Sequence, residues 1–387
     1  MAMKEKDSIT VYMGRFNPFH NGHAHVLTRA LQSSKLVILL LGSAGLARSL
    51  KNPFTFEERK DIIRRWYTEE IVKGRIDVKC QLVIAPLRDY PYNDAMWIRN
   101  VQSTVKSVIE GRDPDWLDDP VRITGSDRDE STWYLKAFPH WKLDLVSPFR
   151  PDGSGDLSAT RVRELLFDPV INDPAGMMSM MPKTTYEYLL DFIGSPEHAQ
   201  LQSWYEQNKA YKKAWSIAPY APIFTTVDAV VIQSGHILVV ERGAEPGKGL
   251  WALPGGFLNQ NERLRDGAVR ELMEETGILL AEGKKAKDIT REILKGSIRD
   301  MEVFDAPDRS MRGRTITHTF FFRLDDTKPL PKVKGQFMPL HETGGKKVVE
   351  TAKAFWLTID EALSCMDMWF EDHYSIVEWG VSRHDHQ

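Results

Sequence analysis

One stretch limits what this chain can fold into more than any other. Trp251 to Ile278 reads W-A-L-P-G-G-F-L-N-Q-N-E-R-L-R-D-G-A-V-R-E-L-M-E-E-T-G-I. Gly255 and Gly256 stand where a strand breaks into a loop, and Leu264, Ala268 and Leu272 recur at helical spacing to give the following helix a buried face. Glu271, Glu274 and Glu275 fall at i, i+3 and i+4, so their carboxylates share another face. Three like charges that close repel unless something positive sits among them. A hard divalent cation with oxygen ligands suits such a set, and magnesium bound this way usually also holds substrate phosphates. Gly277 supplies the left-handed residue that ends the helix.

The spacing goes further than an acidic helix requires. From Gly256 there are five residues to Glu262, then seven to Arg270-Glu271-Leu272, with Glu274, Glu275, Gly277 and Ile278 after them. This resembles the Nudix box at every fixed place. The resemblance implies a hydrolase that cleaves a diphosphate linked to a nucleoside. It places magnesium, with manganese as the alternative, on Glu271, Glu274 and Glu275, and it leaves Arg270 and Glu262 to brace the loop against the helix.

A chain of 387 residues has room for a second domain, at roughly 150 residues each. Its net charge of -3 makes no bulk electrostatic case for nucleic acid or for a membrane surface. The two cysteines, Cys80 and Cys365, lie far apart, with neither metal spacing nor a disulfide framework. The start, M-A-M-K-E-K-D, lacks the apolar run of a signal peptide. Leu36 to Gly42, the most apolar segment, is too short to span a bilayer. A cytoplasmic protein is expected.

The first half alternates strand and helix. Ser8 to Met13 reads as a strand, and the helix after the following loop carries Val26, Leu27, Ala30 and Leu31 as its buried stripe. Lys35 to Gly42 reads as a buried parallel strand. Thr55 to Tyr67 and Asp94 to Ile109 follow as helices. Cys80 to Ala85, Val121 to Thr124 and Lys142 to Val146 follow as strands. This is the pattern of a doubly wound α/β domain with a parallel sheet. The loop Gly14 to His23, G-R-F-N-P-F-H-N-G-H, carries its chemistry. Gly14 lets backbone approach a ligand closely. His20 and His23 stand where a helix begins, and free N–H groups there favour phosphate. Imidazoles at that place can donate to phosphate oxygens, more strongly when protonated.

That loop resembles the T/H-x-G-H motif of the nucleotidyltransferase superfamily, in the form used by archaeal-type nicotinamide mononucleotide adenylyltransferases. The partner motif, I-S-S-T-x-x-R, is matched by Leu157-Ser158-Ala159-Thr160-Arg161-Val162-Arg163, with Ala159 replacing the middle serine. The resemblance implies ATP contacts from Gly14, Arg15, Phe16, His20, His23, Ser158, Thr160 and Arg163, with His20, His23 and Arg163 catalytic. Related enzymes stack an aromatic on the nicotinamide ring and fix the carboxamide with an amide or carboxylate nearby. Trp97 and Asn93 fit in kind. The segment Gly125 to Ser131, after a strand, is a candidate for the adenosine or an ion, and Arg48 for a phosphate.

Thr185 to Ile193 and Ala199 to Trp215 read as helices rich in tyrosine and tryptophan. They suggest a helical linker over 183–222 that packs the domains or joins subunits, with a homo-oligomer expected. The boundaries become 1–182, 183–222 and 223–387. In the last part Ile223 to Gln233 and Ile237 to Glu241 form a hairpin about Ser234-Gly235. Phe320 to Leu324 and Ala354 to Thr358 read as further strands, and Trp369 to Trp379 as an aromatic helix. A Nudix domain is an α/β/α sandwich. Asp300 to Thr319 resembles the segment after the box in ADP-ribose pyrophosphatases, which implies that Arg309, Arg312 and Arg314 meet the substrate. Glu342 or Glu350 is a candidate general base.

Together the two resemblances match bifunctional proteins that join an adenylyltransferase to an ADP-ribose pyrophosphatase. They imply ATP, nicotinamide mononucleotide (NMN), NAD and ADP-ribose as the small-molecule partners. The competing reading of the second half is a ligand sensor of NAD metabolism. Such sensors often lose box glutamates and carry a DNA-binding segment, whereas this box is intact and no basic recognition segment follows. For the first half the competitors are adenylylation of another phosphate and cytidylyl transfer.

Overall fold

The computed structural model describes residues 8–126, 130–149, 157–169, 174–334, 341–343, 346–348 and 351–385. The chain divides into two compact units, 1–206 and 207–387.

The first unit is built on β1 (Ile9–Gly14), α1 (Asn21–Ser33), β2 (Leu36–Leu41), α2 (Phe56–Val72), β3 (Gln81–Pro86), α3 (Asp94–Glu110), β4 (Val121–Gly125), β5 (Lys142–Leu145) and α4 (Ala159–Phe167). The helices α5 (Pro174–Met180), α6 (Lys183–Phe192) and α7 (Pro196–Ala214) follow. Its five strands lie in the order β3-β2-β1-β4-β5, each pair parallel. This is the expected doubly wound sheet. β2 shows why the sequence demands two covered faces. Val37, Leu39 and Leu41 pack with Leu27, Leu31, Ile62 and Trp66 of α1 and α2, while Leu36, Ile38 and Leu40 pack with Val101, Val105 and Ile109 of α3. Each fully buried aliphatic side chain contributes about 1.5–3 kcal/mol relative to exposure, so neither face can be left to water. The stripe predicted for α1 is the buried one: Val26, Leu27, Ala30 and Leu31.

The segment 183–222 is helical and is shared between the units. α6 belongs to the first, where Tyr188 and Phe192 meet Phe54 edge-on at 5.6 and 4.9 Å. α7 crosses the division at residue 206.

The second unit holds β6 (Phe224–Gln233), β7 (His236–Arg242), β8 (Trp251–Ala252), β9 (Gly255–Phe257), α8 (Leu264–Thr276), α9 (Ala286–Ser297), β10 (Ile298–Phe304) and β11 (Thr315–Arg323). β12 (His341–Thr343), β13 (Lys346–Val348), β14 (Thr351–Thr358), α10 (Ile359–Ser364) and α11 (His373–Asp385) complete it. Its main sheet runs β10-β11-β6-β7-β14, with β8 on β7 and β9 on β6. β11 and β6 are parallel and the other pairs along the sheet antiparallel, so the sheet is mixed. Val227, Ala229 and Val231 face Ala268, Val269 and Leu272 of α8 and Leu294 of α9. Val230 points the other way, against Gly380 of α11, where an added Cβ would come within 2.4 Å of its Cγ1. Helices therefore cover both faces, as expected of the α/β/α sandwich.

The stretch 300–319 contains most of β10 and the start of β11, and one expectation needs correction. The aromatic helix begins at His373, not Trp369, because Trp369 bridges to Trp251 and the Phe370 N–H donates to the Trp251 carbonyl at 2.9 Å. Those backbone groups are committed before the helix starts.

Candidate active sites

In the first unit a cleft of about 520 Å³ opens at the carboxyl ends of the parallel strands, lined by Gly14 at the end of β1, Gly42 after β2, Asp89 after β3 and Ser126 after β4. Open α/β sheets bind ligands at this edge, where the strand order reverses between β1 and β4. Glycine at 14 suits a close approach, since a Cβ there would sit 3.2 Å from the Phe16 ring, tighter than an ordinary contact.

His20 is the N-cap of α1. Its Nδ1 accepts the Gly22 N–H at 3.1 Å, and its own N–H donates to Nδ1 of His23 at 3.3 Å. The two rings stack with centroids 3.6 Å apart. A nitrogen that accepts carries no hydrogen, so in both rings the hydrogen is left to Nε2. The caps thus orient both imidazoles so that Nε2 is the nitrogen that the cap does not use. His20 is buried and His23 half-buried, and both line the cleft.

Opposite them stands the second motif. Ser158 caps α4, its Oγ accepting the Arg161 N–H at 3.2 Å. Arg163 donates to the Asn17 carbonyl at 2.8 Å and to Thr160 Oγ1 at 3.2 Å. Burial, and then the charge of Arg15, bring its pKa down to about 10, so it remains a cation at neutral pH. Arg15, Phe16, Ser158, Thr160 and Arg163 all line the cleft with the histidines. Arg161 pairs with Glu164 instead, at 3.3 Å.

The pair named for the second substrate separates. Trp97 lines the cleft, held among Trp133, Tyr134 and Phe138 at centroid distances of 5.7 to 6.1 Å. Asn93 caps α3 through Oδ1, which accepts the Met96 N–H at 3.0 Å, and it is not among the residues lining the cleft. The cap explains the amide there without a ligand. Of Gly125 to Ser131, Asp127, Arg128 and Asp129 lie outside the described residues.

Arg48 is held by a carboxylate rather than left as a solvated loop residue. It makes a two-pronged pair with Glu58 at 2.7 and 2.8 Å. Burial raises the Glu58 pKa, but hydrogen bonds from Arg48 and the Thr55 backbone outweigh it and bring it from 4.5 to about 2. A folded pKa below the unfolded one stabilises above the unfolded value, and that stabilisation is lost as pH falls through the folded value. Calorimetry should therefore show the first unit losing stability between about pH 5 and pH 2. Glu58→Gln should lower its Tm at pH 7 and flatten that slope. An unchanged slope would mean that the pair carries no stability.

Two residues of this site were not singled out from the sequence. Arg59, on the apolar stripe of α2 and 1% exposed, donates to the carbonyls of Arg15 and Gly42, so it fixes both glycine loops from beneath. Asp89 accepts from the N–H and hydroxyl of Ser43 at 3.0 and 2.5 Å. A buried arginine at i relative to Ile62, Ile63 and Trp66 was the available signal for the first; nothing local marked the second.

In the second unit the acidic helix sits beneath the glycine loop. Arg270 is the positive group among the carboxylates. It donates to Glu262 at 2.6 and 3.0 Å, to Glu271 at 2.8 Å, to Glu274 at 3.1 Å and to the Phe257 carbonyl at 3.2 Å. Glu262 holds the guanidinium most strongly and raises its pKa; in return Arg270 lowers that of Glu262. Glu275 is buried, with Oε2 on the Gly255 N–H at 2.9 Å and Oε1 on the Thr351 hydroxyl at 2.8 Å. Glu274 is half-exposed.

The donor set fits a hard divalent ion in kind: three carboxylates within one helical turn, all oxygen. Gly256 leaves the space above them open, since a Cβ there would lie 2.6 Å from Glu271 Oε1. Among the described residues no three acidic, histidine or cysteine side chains already converge as a metal cage, because Arg270 draws Glu271 and Glu274 to itself. A larger open groove of about 1560 Å³ runs between Leu279 and Lys334, but none of the three glutamates lines it.

The three arginines assigned to ADP-ribose also separate. Arg309 is buried and makes a two-pronged pair with Asp372, both contacts at 2.8 Å. Arg314 binds the Asp305 carbonyl and so ties together the turn between β10 and β11. Arg312 is half-exposed, its guanidinium 5.1 Å over the ring of Phe257 beside the glycine loop, and it alone of the three faces that loop. Of the candidate bases, Glu350 lies outside the described residues, and only the backbone of Glu342 is described.

Comparison with known proteins agrees with this division. Residues 11–165 match the cytidylyltransferase-like family and residues 222–380 the NUDIX domain family. A nicotinamide/nicotinic acid mononucleotide adenylyltransferase of Acinetobacter baylyi is 33% identical over 195 residues, which is 50% of this chain and 92% of that protein. An ADP-ribose pyrophosphatase of Methanocaldococcus jannaschii is 34% identical over 94 residues, 24% of this chain and 47% of that protein. The crystal structure of a bifunctional NMN adenylyltransferase/ADP ribose pyrophosphatase from Francisella tularensis covers 97% of this chain and 99% of its own, at 33% identity and a TM-score of 0.78. The chain belongs to this bifunctional family. The Francisella enzyme was solved with AMP and a manganese ion. Family membership decides between the readings left open by the sequence: an adenylyltransferase rather than a cytidylyltransferase in the first half, and a hydrolase rather than a sensor in the second.

Proposed function

We propose that the first unit transfers AMP from ATP to nicotinamide mononucleotide, giving NAD and pyrophosphate, and that the second hydrolyses ADP-ribose to AMP and ribose 5-phosphate. The observation that carries the first reading is the stacked His20–His23 pair, with both Nδ1 atoms taken by the cap and both rings lining the cleft. A phosphate oxygen of the mononucleotide attacks the α-phosphorus of ATP, and the bond to the β-phosphate breaks. No protein nucleophile is needed, so catalysis is positioning and charge stabilisation. His20 and His23 donate from Nε2 to the triphosphate, Arg163 neutralises the leaving pyrophosphate, and Trp97 offers a face to the nicotinamide ring.

In the second unit Glu271, Glu274 and Glu275 would hold magnesium or manganese. The ion, when bound, supplies charge neutralisation of the diphosphate and an activated water. Arg270 and Glu262 keep the helix under the loop, and Arg312 is the remaining candidate for the substrate's phosphates. We assign residues 1–182 to the transferase, 223–387 to the hydrolase and the helical segment between them to their connection, in a cytoplasmic homo-oligomer. No described helix is long and apolar enough to cross a membrane, and Cys80 and Cys365 are free thiols, as a reducing compartment would leave them. The direct test supplies magnesium with ATP and either nicotinamide or nicotinate mononucleotide, then with ADP-ribose, and identifies products. Absence of dinucleotide from both mononucleotides would overturn the first assignment, and intact ADP-ribose the second.

A further inference from the structure

The segment Trp369 to His373 runs beside β8 towards the glycine loop. Trp369 bridges to Trp251. The Phe370 N–H donates to the Trp251 carbonyl at 2.9 Å. Just past β8, the Leu253 N–H donates to Nδ1 of His373 at 3.1 Å. Pro254 then leads to Gly255, whose N–H holds Glu275. The same segment grips the arginine-bearing turn: Asp372 pairs with Arg309 and Glu371 Oε1 accepts the Met311 N–H at 3.2 Å.

Leu253 is 2% exposed and His373 8%, so this hydrogen bond is closed to water. Without its acceptor the Leu253 N–H would be buried and unsatisfied, which a loop avoids by moving. The loop has little room to move and stay productive. A Cβ on Gly255 would lie 2.1 Å from Asp228 Oδ1, and one on Gly256 2.6 Å from Glu271. The imidazole accepts only while Nδ1 carries no hydrogen. Burial favours that neutral state, Asp228 and Asp372 oppose it, and Arg309 and Arg242 support it.

We propose that His373 is a positioning residue of the hydrolase: its Nδ1 fixes the Leu253 peptide, and through it the loop Gly255–Gly256 over Glu271 and Glu275. This rests on the hydrolase reading of the second unit. It makes the start of the C-terminal helix part of the catalytic apparatus, although no atom of it need touch substrate.

The test uses the full chain and three substitutions. His373→Leu keeps bulk and removes the acceptor. His373→Asn returns an oxygen close to the place of Nδ1, and His373→Gln puts one near Nε2 instead. With a displaced loop costing up to about 100-fold, His373→Leu should lower kcat for ADP-ribose by about 10- to 100-fold. KM should stay within a few-fold and dinucleotide synthesis should be unchanged. Amide exchange across 251–257 should quicken. His373→Asn should recover most of the rate and the slow exchange, and His373→Gln should not. Equal impairment by Asn and Gln, or wild-type rate and exchange in a folded His373→Leu protein, would overturn the proposal. If His373→Leu fails to fold, the contrast between Asn and Gln still decides. Should the wild-type chain leave ADP-ribose intact, the hydrolase reading fails by itself, while the exchange comparison still says whether His373 holds the loop.

Discussion

Glu274→Gln should abolish most ADP-ribose hydrolysis and leave dinucleotide synthesis intact. The substitution keeps the shape of the side chain and removes one negative charge from the set Glu271, Glu274 and Glu275. A hard cation then loses a carboxylate ligand. Loss of groups that merely support metal ligands costs about 10- to 100-fold, so loss of a ligand should cost at least about 100-fold. From the sequence alone, relief of repulsion on a crowded acidic face would leave the helix as stable or more so. The structure changes that expectation, because Arg270 already lies among the carboxylates and holds Glu274 at 3.1 Å. Glu274 is half-exposed, and an exposed i,i+4 pair contributes only about 0.3–0.5 kcal/mol. Tm should therefore stay nearly constant while the rate collapses. Hydrolysis rate and melting temperature, each with and without magnesium, are the measurements. Full activity in the folded variant would sink the metal assignment.

Arg270 also shows what a sequence can and cannot reveal about such a site. That a cation must sit among three glutamates followed from their spacing. That the side chain next to Glu271 would fill the role, while also reaching Glu262 across the loop, depends on how the loop folds back. Strand and helix order was legible in both units because burial is periodic: the stripe of α1 and the unbroken apolar run of β2 each dictate their cover. The surroundings of Arg309 and Arg314 were hidden for the opposite reason. Three arginines in six residues look alike in one dimension, and only the tertiary partners Asp372 and Asp305 separate them from Arg312. Asn93 is ambiguous in the same way, since an N-cap and a ligand-binding amide are the same residue type at the same kind of place. His373 and Thr351 reach the glycine loop and Glu275 from about 120 and 76 positions away, beyond any local pattern.

His20 is where chemistry and folding can be told apart most sharply. His20→Ala should lower dinucleotide synthesis by about 100- to 1000-fold, the scale on which one preorganised donor to developing charge matters. The same change removes the acceptor for the Gly22 N–H, and loss of an N-cap costs about 1 kcal/mol. A lowered rate in His20→Ala could therefore come from either cause. His20→Asn separates them, because asparagine is among the best N-caps but has no donor where the imidazole Nε2 stood. Its Tm should return towards that of the wild type while synthesis remains depressed by about the same 100- to 1000-fold. His23→Ala should show the rate loss too, for its Nε2 belongs to the same stacked pair. ADP-ribose hydrolysis should persist in all three variants, as a check that the second unit is untouched. Synthesis within a few-fold of wild type in His20→Asn would mean that the histidine only caps the helix, and that the triphosphate charge is met by Arg15 and Arg163.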